Sequence, residues 1–190
     1  MKKILFILTL VVSFGCFGQT KEIILNYESG AVKSKSNFLD GELQGVITYY
    51  ESGAVSAKAY YVEGELQGEM ISYFVSGAIK SKSNFVEGKL QGECIYYHES
   101  GAVRIKSNYV EDELQGEWIY YYESGAVRIK TNYVEDELQG ELISYFESGT
   151  VQGKAYYIEG KLQGKRIFYT LNGEIKKIEN YKDGMLINNK

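Results

Sequence analysis

A motif centred on glycine returns seven times, at Gly30, Gly53, Gly77, Gly101, Gly125, Gly149 and Gly173, with one step of 23 residues and five of 24. A fixed period in this range restricts the chain to a repeat array, in which each unit buries apolar surface only against its neighbours. A representative unit, residues 116–139, reads GEWIYYYESGAVRIKTNYVEDELQ. The short step is a one-residue deletion, because Gly45-Val46-Ile47 stands where the next unit has Gly68-Glu69-Met70-Ile71. It is expected to shorten a loop or strand end and leave the array intact.

The repeats are preceded by MKKILFILTLVVSFGCFGQT, two lysines followed by an apolar run and then small residues. This reads as a secretory signal peptide over residues 1–18, too short in its apolar run for the roughly 20 residues that span a bilayer. Cleavage after Gly18 is the favoured reading. The alternative is cleavage before Cys16, which would leave a lipoprotein anchored at that cysteine. No other segment is apolar for long enough to span a membrane as a helix. Loss of Lys2 and Lys3 with the leader takes the formal charge from −4 to −6. An acidic chain without clustered cations argues against nucleic acid as a partner. Cys94 is then the one thiol left, so no intramolecular disulfide forms, although an exported protein meets an oxidising compartment, periplasmic or extracellular.

Within a unit, residues 117–122 and 126–134 are rich in aromatic and β-branched side chains and are separated by Glu123-Ser124-Gly125. That pattern predicts a β-hairpin with a three-residue loop whose glycine takes φ > 0. The return connection, residues 135–140, reads as a longer loop. Its second position is glycine in most units but Asp112 and Asp136 in two, which predicts a left-handed residue there. The whole mature chain, residues 19–190, is therefore expected to be one all-β domain of about seven repeats. The expected form is an elongated, twisted, single-layer antiparallel sheet of tandem hairpins, on the order of 65 Å long at ~4.8 Å per strand. A closed barrel or a sandwich is the second possibility.

Counting back from the loop puts Ile119, Tyr121, Val127, Ile129, Thr131 and Tyr133 on one face, taken as the core because its columns are uniform from unit to unit. Trp118, Tyr120, Arg128 and Lys130 fall on the other, taken as the face available for binding. The other face carries a mixed column, Met70, Cys94, Trp118, Leu142 and Arg166. A lysine column, Lys35, Lys58, Lys82, Lys106, Lys130 and Lys154, joins Trp118 and Tyr120 there as the candidate binding stripe. At two strand separations, about 9.6 Å, per step, such a stripe suits an anionic lipid or acidic glycan surface. The alternative is that each lysine pairs with a neighbouring carboxylate or blunts aggregation of the sheet.

The stretch Tyr109-Val110-Glu111-Asp112-Glu113-Leu114-Gln115-Gly116-Glu117-Trp118, with Tyr121-Tyr122-Glu123-Ser124-Gly125 after it, resembles the bacterial variant of the MORN repeat. The resemblance covers about residues 20 to 188. It implies a ladder of hairpins without enzymatic activity of its own, used for protein association or lipid contact. Some bacterial members are antitoxin-like components of toxin–antitoxin systems. The family supplies no catalytic or ligand residues to carry over.

The residues themselves offer little catalytic chemistry. His98, the one histidine, occupies a column otherwise filled by Tyr50, Phe74, Tyr122 and Phe146, and reads as an aromatic substitute rather than a base. A His-based triad and a zinc cluster both lack members. Cys94 reads as a packed thiol. The loop carboxylates match neither an EF-hand nor a calcium-binding nonapeptide, and the glycines follow the repeat rather than a phosphate cradle. No cofactor is expected. A lone Trp118 is too few for the tryptophan cages of choline-binding repeats. The sequence thus predicts an exported, non-enzymatic scaffold for a protein partner or the envelope surface. The alternatives are an antitoxin-like neutraliser and a cell-wall glycan binder.

Overall fold

The computed structural model describes residues 18–187, so the leader falls almost wholly outside the described residues. By compactness the chain divides into two units, residues 1–90 and 91–190. In the first, β1 (Thr20–Asn26), β2 (Val32–Leu39), β3 (Glu42–Tyr49), β4 (Val55–Val62), β5 (Glu65–Leu66), β6 (Gly68–Tyr73), β7 (Ile79–Val86) and β8 (Lys89–Leu90) pair in an antiparallel meander. The second runs β9 (Gly92–Tyr97), β10 (Val103–Val110), β11 (Glu113–Leu114), β12 (Gly116–Tyr121), β13 (Val127–Val134), β14 (Glu137–Leu138), β15 (Gly140–Tyr145), β16 (Val151–Ile158), β17 (Lys161–Tyr169), β18 (Ile175–Lys182) and β19 (Met185–Leu186). Its pairing is also sequential and antiparallel. Among the described residues every regular element is a strand, and within each unit the strand pairing runs open-ended rather than closing as a barrel.

The tight loop is the expected one. The Tyr122 N–H donates to the Ala126 carbonyl at 2.8 Å and the Gly125 N–H to the Tyr122 carbonyl at 3.0 Å, with Gly125 at φ 86°. This three-residue hairpin needs the left-handed glycine that recurs in every repeat.

The return connection differs from expectation. Val134 pairs directly with Glu137, and both intervening residues are left-handed, Glu135 at φ 48° and Asp136 at φ 64°. It is a two-residue turn of the type whose twist matches the flanking strands. The longer loop read from the sequence is in fact a tight turn followed by a two-residue strand and a break at Gln139. The left-handed second position stands as predicted, at Asp112 (φ 73°) as well as Asp136.

Leu-Gln-Gly, which follows all of these turns but the last, ties one turn to the next. The Gln115 Oε1 accepts from the Glu135 N–H at 3.0 Å, and the Gln139 Oε1 from the Glu159 N–H at 3.0 Å. Beside them the Asp136 N–H reaches the Leu114 carbonyl at 3.2 Å and the Gly160 N–H the Leu138 carbonyl at 3.0 Å. Gln67 does the same for Glu87 in the first unit, at 2.9 Å.

At the opposite edge a tyrosine hydroxyl makes the equivalent tie. Tyr27 donates to the Tyr49 carbonyl at 2.7 Å, Tyr50 to that of Tyr73 at 2.7 Å, and Tyr122 to that of Tyr145 at 2.8 Å. His98 occupies this column, and its Nε2 is buried without a partner. An imidazole is shorter than a phenol and falls short of the next carbonyl. His98→Tyr is therefore expected to stabilise the 91–190 unit by about 1 kcal/mol, the net worth of one hydrogen bond, read as a higher urea midpoint at unchanged m-value.

Candidate functional site

The sorting of side chains onto two faces is decided by a β-bulge that alternation alone does not reveal. Tyr121 pairs with Val127 but Tyr120 pairs with Ile129, so Arg128 is the extra residue and the alternation restarts after it. Ile119 then faces Lys130, and Trp118 faces Thr131. Thus Lys130 and Asn132 share a face with Glu117, Ile119, Tyr121 and Val127, whereas Ile129, Thr131 and Tyr133 lie with Trp118 and Tyr120. This corrects the expected division, because one inserted residue flips everything beyond it. The same bulge falls at Lys33, Ser56, Lys80, Arg104, Gln152 and Lys176.

The candidate stripe is consequently split. Lys35, Lys58, Lys82, Lys106, Lys130 and Lys154 each pair with an isoleucine of the Ile119 column, on the face opposite Trp118 and Tyr120. Nor is the lysine column a bare row of cations. Lys130 forms an ion pair with Glu117 at 2.5 Å, Lys106 with Glu93 at 3.6 Å and Lys154 with Glu141 at 3.6 Å. The hydrogen bond to the Glu117 carboxylate holds Lys130 above its ordinary pKa. The deletion in the first unit lies within strand β3, where it removes a residue of this glutamate column. Lys58 there sits over the Tyr73 ring, 5.9 Å from its centroid.

The tryptophan face holds the tightest packing, contrary to the reading of the uniform columns as core. Its rows alternate large and small: Cys94 opposite Ser107, Trp118 opposite Thr131, Leu142 opposite Ala155. The small members are overlaid by their neighbours, so Ser107 and Thr131 are each 4% exposed, and Cys94 itself is 1% exposed. Tyr133 lies opposite Gly116 and meets the Trp118 ring edge-on, 6.5 Å between centroids. The Arg128 guanidinium lies over the rings of Tyr120 and Tyr122, at 5.1 and 5.4 Å. Trp118 is thus a packing residue, while Arg128 and Tyr120 remain within reach of solvent at the bulge.

Burial sets the chemistry of this face. It pushes the Cys94 thiol up, against the opposing effect of hydrogen bonds to Tyr96 and Ser107, and so disfavours the nucleophilic thiolate. Burial also pushes Tyr96 up to about 12 and raises Tyr109 and Tyr133. A raised folded-state pKa contributes stability that is complete below the unfolded value of about 10 and lost as pH rises through the folded one. The 91–190 unit is therefore expected to lose stability between pH ~10 and the Tyr96 value of about 12. Tyrosinate absorbance against melting temperature checks this, and Tyr96→Phe should flatten the dependence.

The glutamine ties escaped the sequence reading, although Gln recurs at one position from Gln44 to Gln163 and gives way to Ile187 only in the last unit. The turn row also has an outward feature: Val110, Val134 and Ile158, at 44%, 40% and 44% exposure, precede successive two-residue turns. Among the described residues no group of three His, Cys, Asp or Glu side chains could hold a metal ion, and no helix is long and apolar enough to cross a membrane.

The geometry defines a tandem β-hairpin repeat protein, in which turns at both edges are hydrogen-bonded from one unit to the next. Residues 90–111, 114–135, 138–159 and 162–183 match the MORN repeat variant, each match running from the Leu-Gln-Gly corner to the first residue of the following turn. Those four units are similar to that family's repeats, which are in general non-catalytic scaffolds for binding. Comparison with curated proteins finds no match.

Proposed function

We propose that the protein is an exported, non-enzymatic repeat scaffold that binds a protein partner through an extended sheet face. The observation that carries this is the match of four successive units to a family of binding scaffolds. Support also comes from the ties made by Gln115, Gln139 and Tyr122, which hold equivalent side chains at a fixed repeat spacing. Export is supported by the lysine-flanked apolar run at the N-terminus. An envelope-surface partner would draw on the lysine column, and the pairing of Lys106, Lys130 and Lys154 with glutamates counts against it.

The test is to express the tagged full chain with its own leader and purify it with its bound material from the cell envelope. The expected result is one enriched protein that rebinds the purified chain in a saturable, stoichiometric complex. Enrichment of lipid or polysaccharide with no protein would sink the reading, as would a chain that stays in the cytosol.

A further inference from the structure

The scaffold reading leaves open which surface binds and what it takes; the inference that follows rests on that reading. Val110, Val134 and Ile158 form a row on the lysine face of the 91–190 unit, each exposed by 40–44%. The column is aliphatic from Leu39 to Ile158 and ends in Lys182, and each exposed aliphatic side chain in it loses hydrophobic stabilisation to water. β-Propensity alone would be met by threonine, which is absent from the column. The first unit has its own row in Leu39, Val62 and Val86, at 41%, 56% and 41% exposure.

The rim of the row is acidic at Val110 and Val134, whose cross-strand partners are Glu113 and Glu137, and mixed at Ile158, which pairs with Lys161. Around Val134 a depression of about 550 Å³ is lined by Glu135, Glu137, Gln139 and Glu159. Asp136 adds a further carboxylate, one oxygen of which accepts from the Leu114 N–H at 2.6 Å. An apolar row flanked by carboxylates selects an apolar partner stripe flanked by cations, and it repels anionic phospholipid. The spacing selects its conformation. Successive row residues stand two strands apart, about 9.6 Å, close to the roughly 10.5 Å rise of one helical heptad. An extended segment presents same-face side chains every ~6.8 Å and falls out of step.

We propose that this row docks a cationic amphipathic helix of the partner protein, its apolar stripe along Val110, Val134 and Ile158 and its lysines or arginines against Glu135, Asp136, Glu137 and Glu159. This is recognition of a helix by a groove with one anchor contact per repeat.

The probe is a synthetic helix of about 18 residues, long enough at ~1.5 Å per residue to pass all three row positions, with leucine on one stripe and lysine elsewhere. Titration calorimetry with the full chain should detect saturable binding that weakens steeply with salt. The variant Val110→Thr/Val134→Thr/Ile158→Thr keeps β-branching and every charge, and should bind at least tenfold more weakly with an unchanged circular dichroism spectrum. Glu135→Lys/Glu137→Lys should also weaken binding at least tenfold and flatten its salt dependence. A peptide with glutamate in place of lysine should not bind. Equal affinity for the threonine variant, or preferential binding of anionic phosphatidylglycerol vesicles, overturns the assignment. The scaffold reading fails separately, in the envelope purification, if no protein is enriched there.

Discussion

Trp118→Ala is expected to destabilise the 91–190 unit by about 3 kcal/mol, the lower range for truncating a large aromatic in a packed site. The indole lies 6.1 Å from the Tyr120 ring centroid at a tilt of 49°, meets Tyr133 edge-on, and lies opposite Thr131, whose 4% exposure depends on that cover. Removing it uncovers small side chains on both sides of the row, because the register that pairs Lys106 with Ile119 brings Ser107 alongside as well. Trp118→Leu should cost less than half as much, since Leu142 fills the same position one repeat later. Urea denaturation measures both, a shift in midpoint at constant m reporting stability alone. A loss below about 1 kcal/mol for alanine would mean that the tryptophan face is a solvated surface rather than the packed one.

The error that this experiment probes has a definite origin. Val127, Ile129, Thr131 and Tyr133 alternate without interruption and suggest a regular strand with one apolar face. The bulge at Arg128 breaks that regularity without leaving a glycine or a polar gap, so composition does not betray it. The recurrence of lysine at Lys130 and glutamate at Glu117 did carry the information, because cross-strand charge pairs mark residues on one face. The three-residue loop was legible because its glycine has one physical role. The second turn was not, because Glu135 and Glu111 occupy left-handed positions where asparagine, aspartate or glycine is the usual signal. Neighbouring turns linked through Gln115 and Gln139 supply the compensating hydrogen bonds. Of the candidate site, the lysine column and its alternative of pairing with neighbouring carboxylates are legible in the sequence, and Lys106, Lys130 and Lys154 make such pairs, but the face of the column is not.

Cys94→Arg separates the two accounts of the mixed column most sharply. Read along the sequence, the column runs Met70, Cys94, Trp118, Leu142, Arg166 and invites the conclusion that any residue is tolerated. The two ends of that list live in different surroundings. Arg166 is exposed, its guanidinium 4.7 Å from the Phe168 ring centroid, whereas Cys94 is 1% exposed opposite Ser107, whose hydroxyl donates to the Cys94 carbonyl at 3.2 Å. A guanidinium at position 94 must either be buried without a counter-ion or displace Tyr96 and Ser107 to reach water. Either course is expected to cost about 3 kcal/mol, in the range for burying an unpaired charge or disrupting a packed row. Arg166→Leu is expected to stay within ~0.5 kcal/mol, as exposed substitutions do. Chemical denaturation of the two variants beside the parent gives the comparison directly. Near-equal stabilities would place the column in solvent along its whole length. A loss confined to Cys94→Arg would show that burial on this face is set by the neighbours of each repeat, so that one motif position changes from core to surface along the array.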